Sequence, residues 1–149
     1  MIRKEIADVL KFITKKFQDY GIYWVIVGSV SLALQGLDLK PNDIDILTNK
    51  KDALKMNKLL EDYVMQPVKW SKNEEFDSYF GKFLINNVKV EIMGDLKIKM
   101  GGEWISLKNR LRSPKFIKIE GISLPVSPIK EQLEYYERRN KPKNYKINS

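Results

Sequence analysis

Two aspartates one residue apart, Asp43-Ile44-Asp45-Ile46, follow a Gly28-Ser29 step in this chain. Together these positions can hold a cation against a phosphate. In an extended segment side chains alternate faces, so both carboxylates point one way while Ile44 and Ile46 point into a core. Two residues of rise put the carboxylates about 6.6 Å apart along the strand, close enough to converge on a cation. Ahead of the Gly-Ser step, Trp24-Val25-Ile26-Val27 is a short, wholly apolar run, which reads as a buried strand. Gly28-Ser29 breaks that run, and residues 30–35 read as one or two helical turns. A strand that turns through Gly-Ser into a helix leaves free backbone N–H groups at the helix start. With the Ser29 hydroxyl, those groups can bind an anion such as phosphate.

Neither half of this pattern is informative alone. The chain has 19 acidic residues among 149, so roughly 2.4 acid–x–acid pairs are expected by chance. Glu75 and Asp77 form another such pair, which reads as a solvated loop. Gly-Ser is also an ordinary turn and helix N-cap. The ordered composite carries the weight: apolar strand, Gly-Ser, short helix, Pro-Asn turn, then Asp-apolar-Asp-apolar. A pair of cations needs a third carboxylate. Val88-Lys89-Val90-Glu91-Ile92 alternates apolar and polar residues, so Glu91 projects from a strand whose other face is packed. Asp95, after Gly94, is the rival position, but it falls past the strand in an expected turn.

The elements that must position these residues follow an α/β pattern. Ile2, Ile6, Val9, Leu10, Ile13 and Phe17 share one helical stripe, and Gly21 marks its stop. Asn49 can cap a helix with Ala53, Met56, Leu60 and Tyr63 on one face. Residues 77–85 and 88–93 read as a hairpin about Asn86-Asn87, and residues 115–120 and 122–126 as a second about Gly121. Ser127 as cap and Pro128 at the first position open a final helix with Ile129, Leu133 and Tyr136 on its stripe. The expected architecture is a mixed-sheet α/β (α+β) fold with helices packed mainly on one side. Residues 1–139 are expected to form one domain and residues 140–149 a polar tail.

Composition narrows the chemistry. The chain has no cysteine and no histidine. Thiol chemistry, haem ligation, Ser-His-Asp hydrolysis and Cys/His zinc sites are therefore excluded. Any metal must be held by oxygen ligands, which points to Mg²⁺ or Mn²⁺. No apolar run of 18 residues exists and the first 20 residues are charged throughout, so a soluble, cytoplasmic chain is expected. The net charge of +8 comes from lysines scattered along the whole length. A solvated surface explains most of them, and nucleic acid is not the favoured partner. A nucleic-acid face would alternate aromatic residues with Lys or Arg on one strand. Tyr79, Phe80, Lys82 and Phe83 come closest, but Phe80 and Phe83 cannot share a face.

Gly28-Ser29, Asp43-x-Asp45 and Glu91 resemble the active-site signature of the DNA polymerase β-like nucleotidyltransferase superfamily, in a small single-domain form, over residues 22–95. The remainder is similar to adenylyltransferases that modify aminoglycosides and lincosamides. Their tails often carry a basic segment after a final helix, as Arg138-Arg139-Asn140-Lys141-Pro142-Lys143 does here, although Asn144 stands where an Asp would be expected after Lys143. The resemblance implies that Asp43 and Asp45 bridge two divalent ions, one carrying the triphosphate of ATP. The other, also held by Glu91, would lower the pKa of an acceptor hydroxyl. Gly28 and Ser29 would hold the β- and γ-phosphates, and AMP would pass to a small molecule or protein as pyrophosphate leaves. By position, Trp104, Arg110 and Arg112 lie beyond the third carboxylate, where a wall of the acceptor cleft would be, the alternative being that Trp104 is core and the arginines are solvated. A second subunit can complete that cleft. The rival readings are a regulatory member, such as one half of a toxin–antitoxin pair that acts on a partner protein, and a basic nucleic-acid-binding domain.

Overall fold

The computed structural model describes residues 2–138. In order, the chain forms α1 (Lys4–Gln18), β1 (Trp24–Val27), α2 (Gly28–Leu34), β2 (Asp43–Thr48), α3 (Lys50–Leu59), β3 (Val64–Lys72), β4 (Phe76–Ile85) and β5 (Val88–Met100). β6 (Glu103–Ser106), β7 (Lys115–Ile119), β8 (Ile122–Val126) and α4 (Ile129–Arg138) follow. The strands make one mixed sheet in the order β3-β4-β5-β2-β1-β8-β7, with β6 paired to β5. β2–β5 and β1–β8 run parallel, and the other pairs are antiparallel.

Helices α1 and α3 lie on one face of this sheet, as expected. Ile6, Val9, Leu10, Ile13 and Phe17 of α1 are all buried there, a 3.6-residue stripe set against Ile44, Ile46, Val90 and Ile92. Asn49 caps α3, its Oδ1 accepting from the Asp52 amide at 2.7 Å. The opposite face carries a smaller apolar cluster of Val25, Leu47, Leu96, Ile98 and Leu107. Since Ile44 and Ile46 belong to the helix-covered core, Asp43 and Asp45 point to the other face.

Both hairpins form. Asn86 and Asn87 take positive φ of 48° and 63°, the conformation a tight two-residue turn requires, and Glu120-Gly121 makes the second turn. The structure departs from expectation in three places. β3 was not foreseen: Pro67 and two register shifts interrupt it, and it lies at the sheet edge, where proline is tolerated. β5 runs on to Met100 rather than ending at Met93, and Asp95 (φ 51°) is an irregularity within it. The Asp95 Oδ1 accepts from the Lys50 amide, so it secures the start of α3. Ser127 does not cap α4 through its hydroxyl, which has no hydrogen-bond partner. Pro128 carbonyl instead accepts from the amides of Glu131 and Gln132. The basic segment 139–143 and the tail lie outside the described residues.

Gly94 is where α3 meets β5. A Cβ there would lie 2.8 Å from Ala53 Cβ and 2.9 Å from the Asn49 carbonyl. Gly94→Ala is expected to push the helix off the sheet and to cost about 1–3 kcal/mol. Thermal unfolding reads this as a lowered Tm, and an unchanged Tm would show that the contact yields freely.

Candidate active site

The parallel pairing of β2 with β5 sets Asp45 directly opposite Glu91, and Asp43 opposite Lys89. Residues in register on neighbouring strands share a face, so the three carboxylates stand together on the side away from α1 and α3. Lys89 Nζ lies 3.6 Å from Asp43 Oδ2. Burial pushes the Asp45 carboxyl up from 3.8 to about 7, the charges of Glu91 and Asp43 add to the rise, and Lys89 opposes it. Asp45 is thus a half-buried acid crowded by like charge.

β1 brings the glycine turn to the same spot, since Val27 pairs with Asp45. Gly28 has φ of +73°, and a Cβ on it would sit 2.6 Å from Asp45 Oδ2. Only glycine meets both demands: the left-handed backbone and the close approach of a carboxylate. α2 begins at Gly28 itself, two residues earlier than the sequence suggests. The Gly28 N–H is not free, because it donates to Gln132 Oε1 at 2.9 Å. The amides of Ser29 and Val30, in the first turn of α2, precede the first intrahelical hydrogen bond. The Ser29 hydroxyl has no partner among the described residues.

Gln132 is the residue that sequence reasoning missed. It is 1% exposed. Its Nε2 donates to Ser31 Oγ at 2.9 Å and to the Ser127 carbonyl at 3.0 Å. It therefore locks α4 to α2 while its oxygen holds the glycine turn. A signal existed: Gln132 lies three residues after Ile129 on the apolar stripe of α4, where a polar side chain needs a buried partner.

Two cavities flank the carboxylate row. One, of about 210 Å³, is lined by Gly28, Asp45, Leu47, Arg110 and Gln132. The other, of about 350 Å³, is lined by Ser71, Asn73, Phe76, Ser78, Phe80 and Glu91. They meet at Phe76, Met93 and Leu96. Arg110 lines the first cavity, beside Gly28 and Asp45, and not the one at Glu91; its Nη2 donates to the Glu131 carbonyl at 3.2 Å. Trp104 and Arg112 line neither. Arg112 is exposed. Trp104 pairs with Lys99 on the other face of the sheet, its ring centre 5.1 Å from Lys72 Nζ and 5.8 Å from Lys99 Nζ.

Among the described residues no three carboxylates are arranged to close on one ion. Mg²⁺ does not require this, since one or two carboxylates suffice when water and phosphate oxygens complete the octahedron. The oxygen-only donor set and the charge crowded at Asp45 fit a divalent cation, which would relieve the repulsion.

A mixed sheet with helices on one face and this carboxylate row on the other defines a nucleotidyltransferase fold. The sequence matches the aminoglycoside-2''-adenylyltransferase family over residues 9–147, and the chain belongs to that family, whose members are nucleotidyltransferases. A solved structure from Thermotoga maritima, provisionally named a nucleotidyltransferase, is 31% identical with a TM-score of 0.88, covering 94% of this chain and 88% of that one. The lincosamide antibiotic adenylyltransferase LnuA, solved with lincomycin bound, shares the fold at 16% identity and a TM-score of 0.57, with 99% and 89% coverage. So does ANT(2'')-Ia, solved in complex with adenylyl-2''-tobramycin, at 11% identity and a TM-score of 0.56, with 94% and 80% coverage. A search of curated proteins by sequence gave no match. No helix among the described residues is long and apolar enough to cross a membrane.

Proposed function

We propose that this protein transfers AMP from ATP to a hydroxyl of a small molecule or a protein, with Mg²⁺ or Mn²⁺ held by Asp43, Asp45 and Glu91. The observation that carries the reading is the register of β2 on β5, which sets Asp45 beside Glu91, with Gly28 packed on the Asp45 carboxylate. When bound, the cations would supply charge to the phosphates and a lowered pKa to the acceptor hydroxyl.

The side chains divide the work by position. The α2 turn offers the Ser29 hydroxyl and first-turn amides to the β- and γ-phosphates, and Arg110 adds a fixed positive charge to the same cavity. Gln132 holds the Gly28 peptide so that the turn is set before nucleotide arrives. Glu91 faces the second cavity, where the acceptor would sit. The acceptor oxygen attacks the α-phosphorus, a new P–O bond forms, and the bridging α–β P–O bond breaks to release pyrophosphate. With no histidine in the chain, the hydroxyl proton passes to a carboxylate of the site or to water.

Labelled ATP with Mg²⁺ and a panel of hydroxyl compounds and proteins tests this. Transfer of the α-phosphate label that depends on the divalent ion and only weakly on salt is expected. Nucleic acid as acceptor would instead show binding that falls by about 0.9 log units per log unit of salt for each duplex phosphate neutralised, and that result would replace the reading.

A further inference from the structure

We infer that the acceptor taken beside Glu91 is an anionic hydroxyl compound, held by Lys82 and Lys69, and not a polycation. The inference rests on the nucleotidyltransferase reading and deepens it by naming the acceptor's charge. On the open face of the sheet, register extends the carboxylate row onto β4 and β3. Lys82 stands opposite Glu91, Phe80 opposite Met93, and Lys69 opposite Phe80. Residues opposite one another share a face, so Lys82 and Lys69 stand on the cavity's face as register partners of two lining residues, Glu91 and Phe80, although neither lysine is itself in the lining.

Neither ammonium is neutralised. Among the described residues no carboxylate lies within ion-pair distance of Lys69 or Lys82. Lys82, half-buried and directly across from Glu91, instead places its Nζ 5.8 Å from the centre of the Phe80 ring. Glu91 is the only acidic residue lining the cavity, and the remaining polar groups come from Ser71, Asn73 and Ser78. A polyamine acceptor would find one carboxylate there, already committed to the carboxylate row, and two unpaired ammonium groups beside it. Such like-charge juxtaposition rejects a polycation, whereas an anion gains from both lysines. The two phenylalanine rings and the volume of about 350 Å³ suit a single ring-sized body with hydroxyls toward Ser71, Ser78 and Glu91.

Calorimetric titration of the full chain with glucose 6-phosphate, glucose, glucosamine and tobramycin tests this, since the four probes carry hydroxyls with different charge. Glucose 6-phosphate is expected to bind at least ten times more tightly than glucose, and glucosamine and tobramycin no more tightly than glucose. The paired substitutions K69E/K82E and, as a milder form, K69Q/K82Q are expected to erase the preference. Lys69 is exposed and Lys82 half-buried, and circular dichroism checks that the variants fold. Equal binding of glucose and its phosphate, tight binding of tobramycin, or a preference that survives K69E/K82E and disappears in Gly28→Ala would each overturn the inference. The last result would place the anion at the glycine turn. Failure of AMP transfer from ATP would count against the enzymatic reading alone, because this titration requires no transfer.

Discussion

Asp45→Asn is expected to remove divalent-ion-dependent ATP binding and AMP transfer while raising the stability of the metal-free protein. The folded-state pKa of Asp45 lies at about 7, above the ordinary 3.8. A raised carboxyl pKa means that the folded state holds its proton more tightly than the unfolded chain. The associated stability is fully present below about pH 4 and is lost as the pH climbs toward 7. Above that, the ionised Asp45, pressed by Glu91 and Asp43, costs at most about 4 kcal/mol. The asparagine variant lacks this loss, so its advantage in urea unfolding is expected to be greatest at pH 8 and to vanish near pH 4. Mg²⁺ is expected to stabilise the wild type and not the variant. Wild-type affinity for Mg²⁺-ATP in the variant, or a stability difference independent of pH, would contradict the assignment of Asp45.

The second large effect is expected at Gly28. An added Cβ would lie 2.6 Å from Asp45 Oδ2 on a backbone with φ of +73°, which costs about 1–2 kcal/mol for a non-glycine residue before any clash is counted. Relief of the clash moves the Asp45 carboxylate or the turn, and either shift also disturbs the hydrogen bond to Gln132. Gly28→Ala is therefore expected to weaken ATP binding well over tenfold and to lower Tm. Ser29→Ala removes one hydroxyl, worth about 0.5–1.5 kcal/mol, and leaves Tm unchanged. If calorimetry finds the two losses equal, the turn is not a cradle for phosphate.

The helices and hairpins were legible in the sequence because their signals are local. The α1 stripe, the Asn49 cap and the Asn86-Asn87 turn each depend on residues within a few positions of one another. The facing of Asp43 and Asp45 was legible for the same reason. That Glu91 lies across from Asp45 was not, because register between strands is fixed by packing of the whole sheet. β3 escaped notice since an edge strand with Pro67 and mostly exposed side chains shows little apolar alternation. Gly28 was singled out for approach to a phosphate. The structure shows a different neighbour, the Asp45 carboxylate, and a Gly28 amide already committed to Gln132.

That last bond has a consequence for how the molecule is made. Gly28 and Gln132 are 104 positions apart, and β1 gains its second neighbour only when β8 pairs beside it. Contacts so distant in sequence close late and slow the folding reaction. During synthesis the chain emerges from its N-terminus, so the carboxylates of β2 and β5 leave the ribosome well before α4 exists to hold the glycine turn. An enclosed pocket at Gly28 is then acquired only after the carboxylate strands have been made.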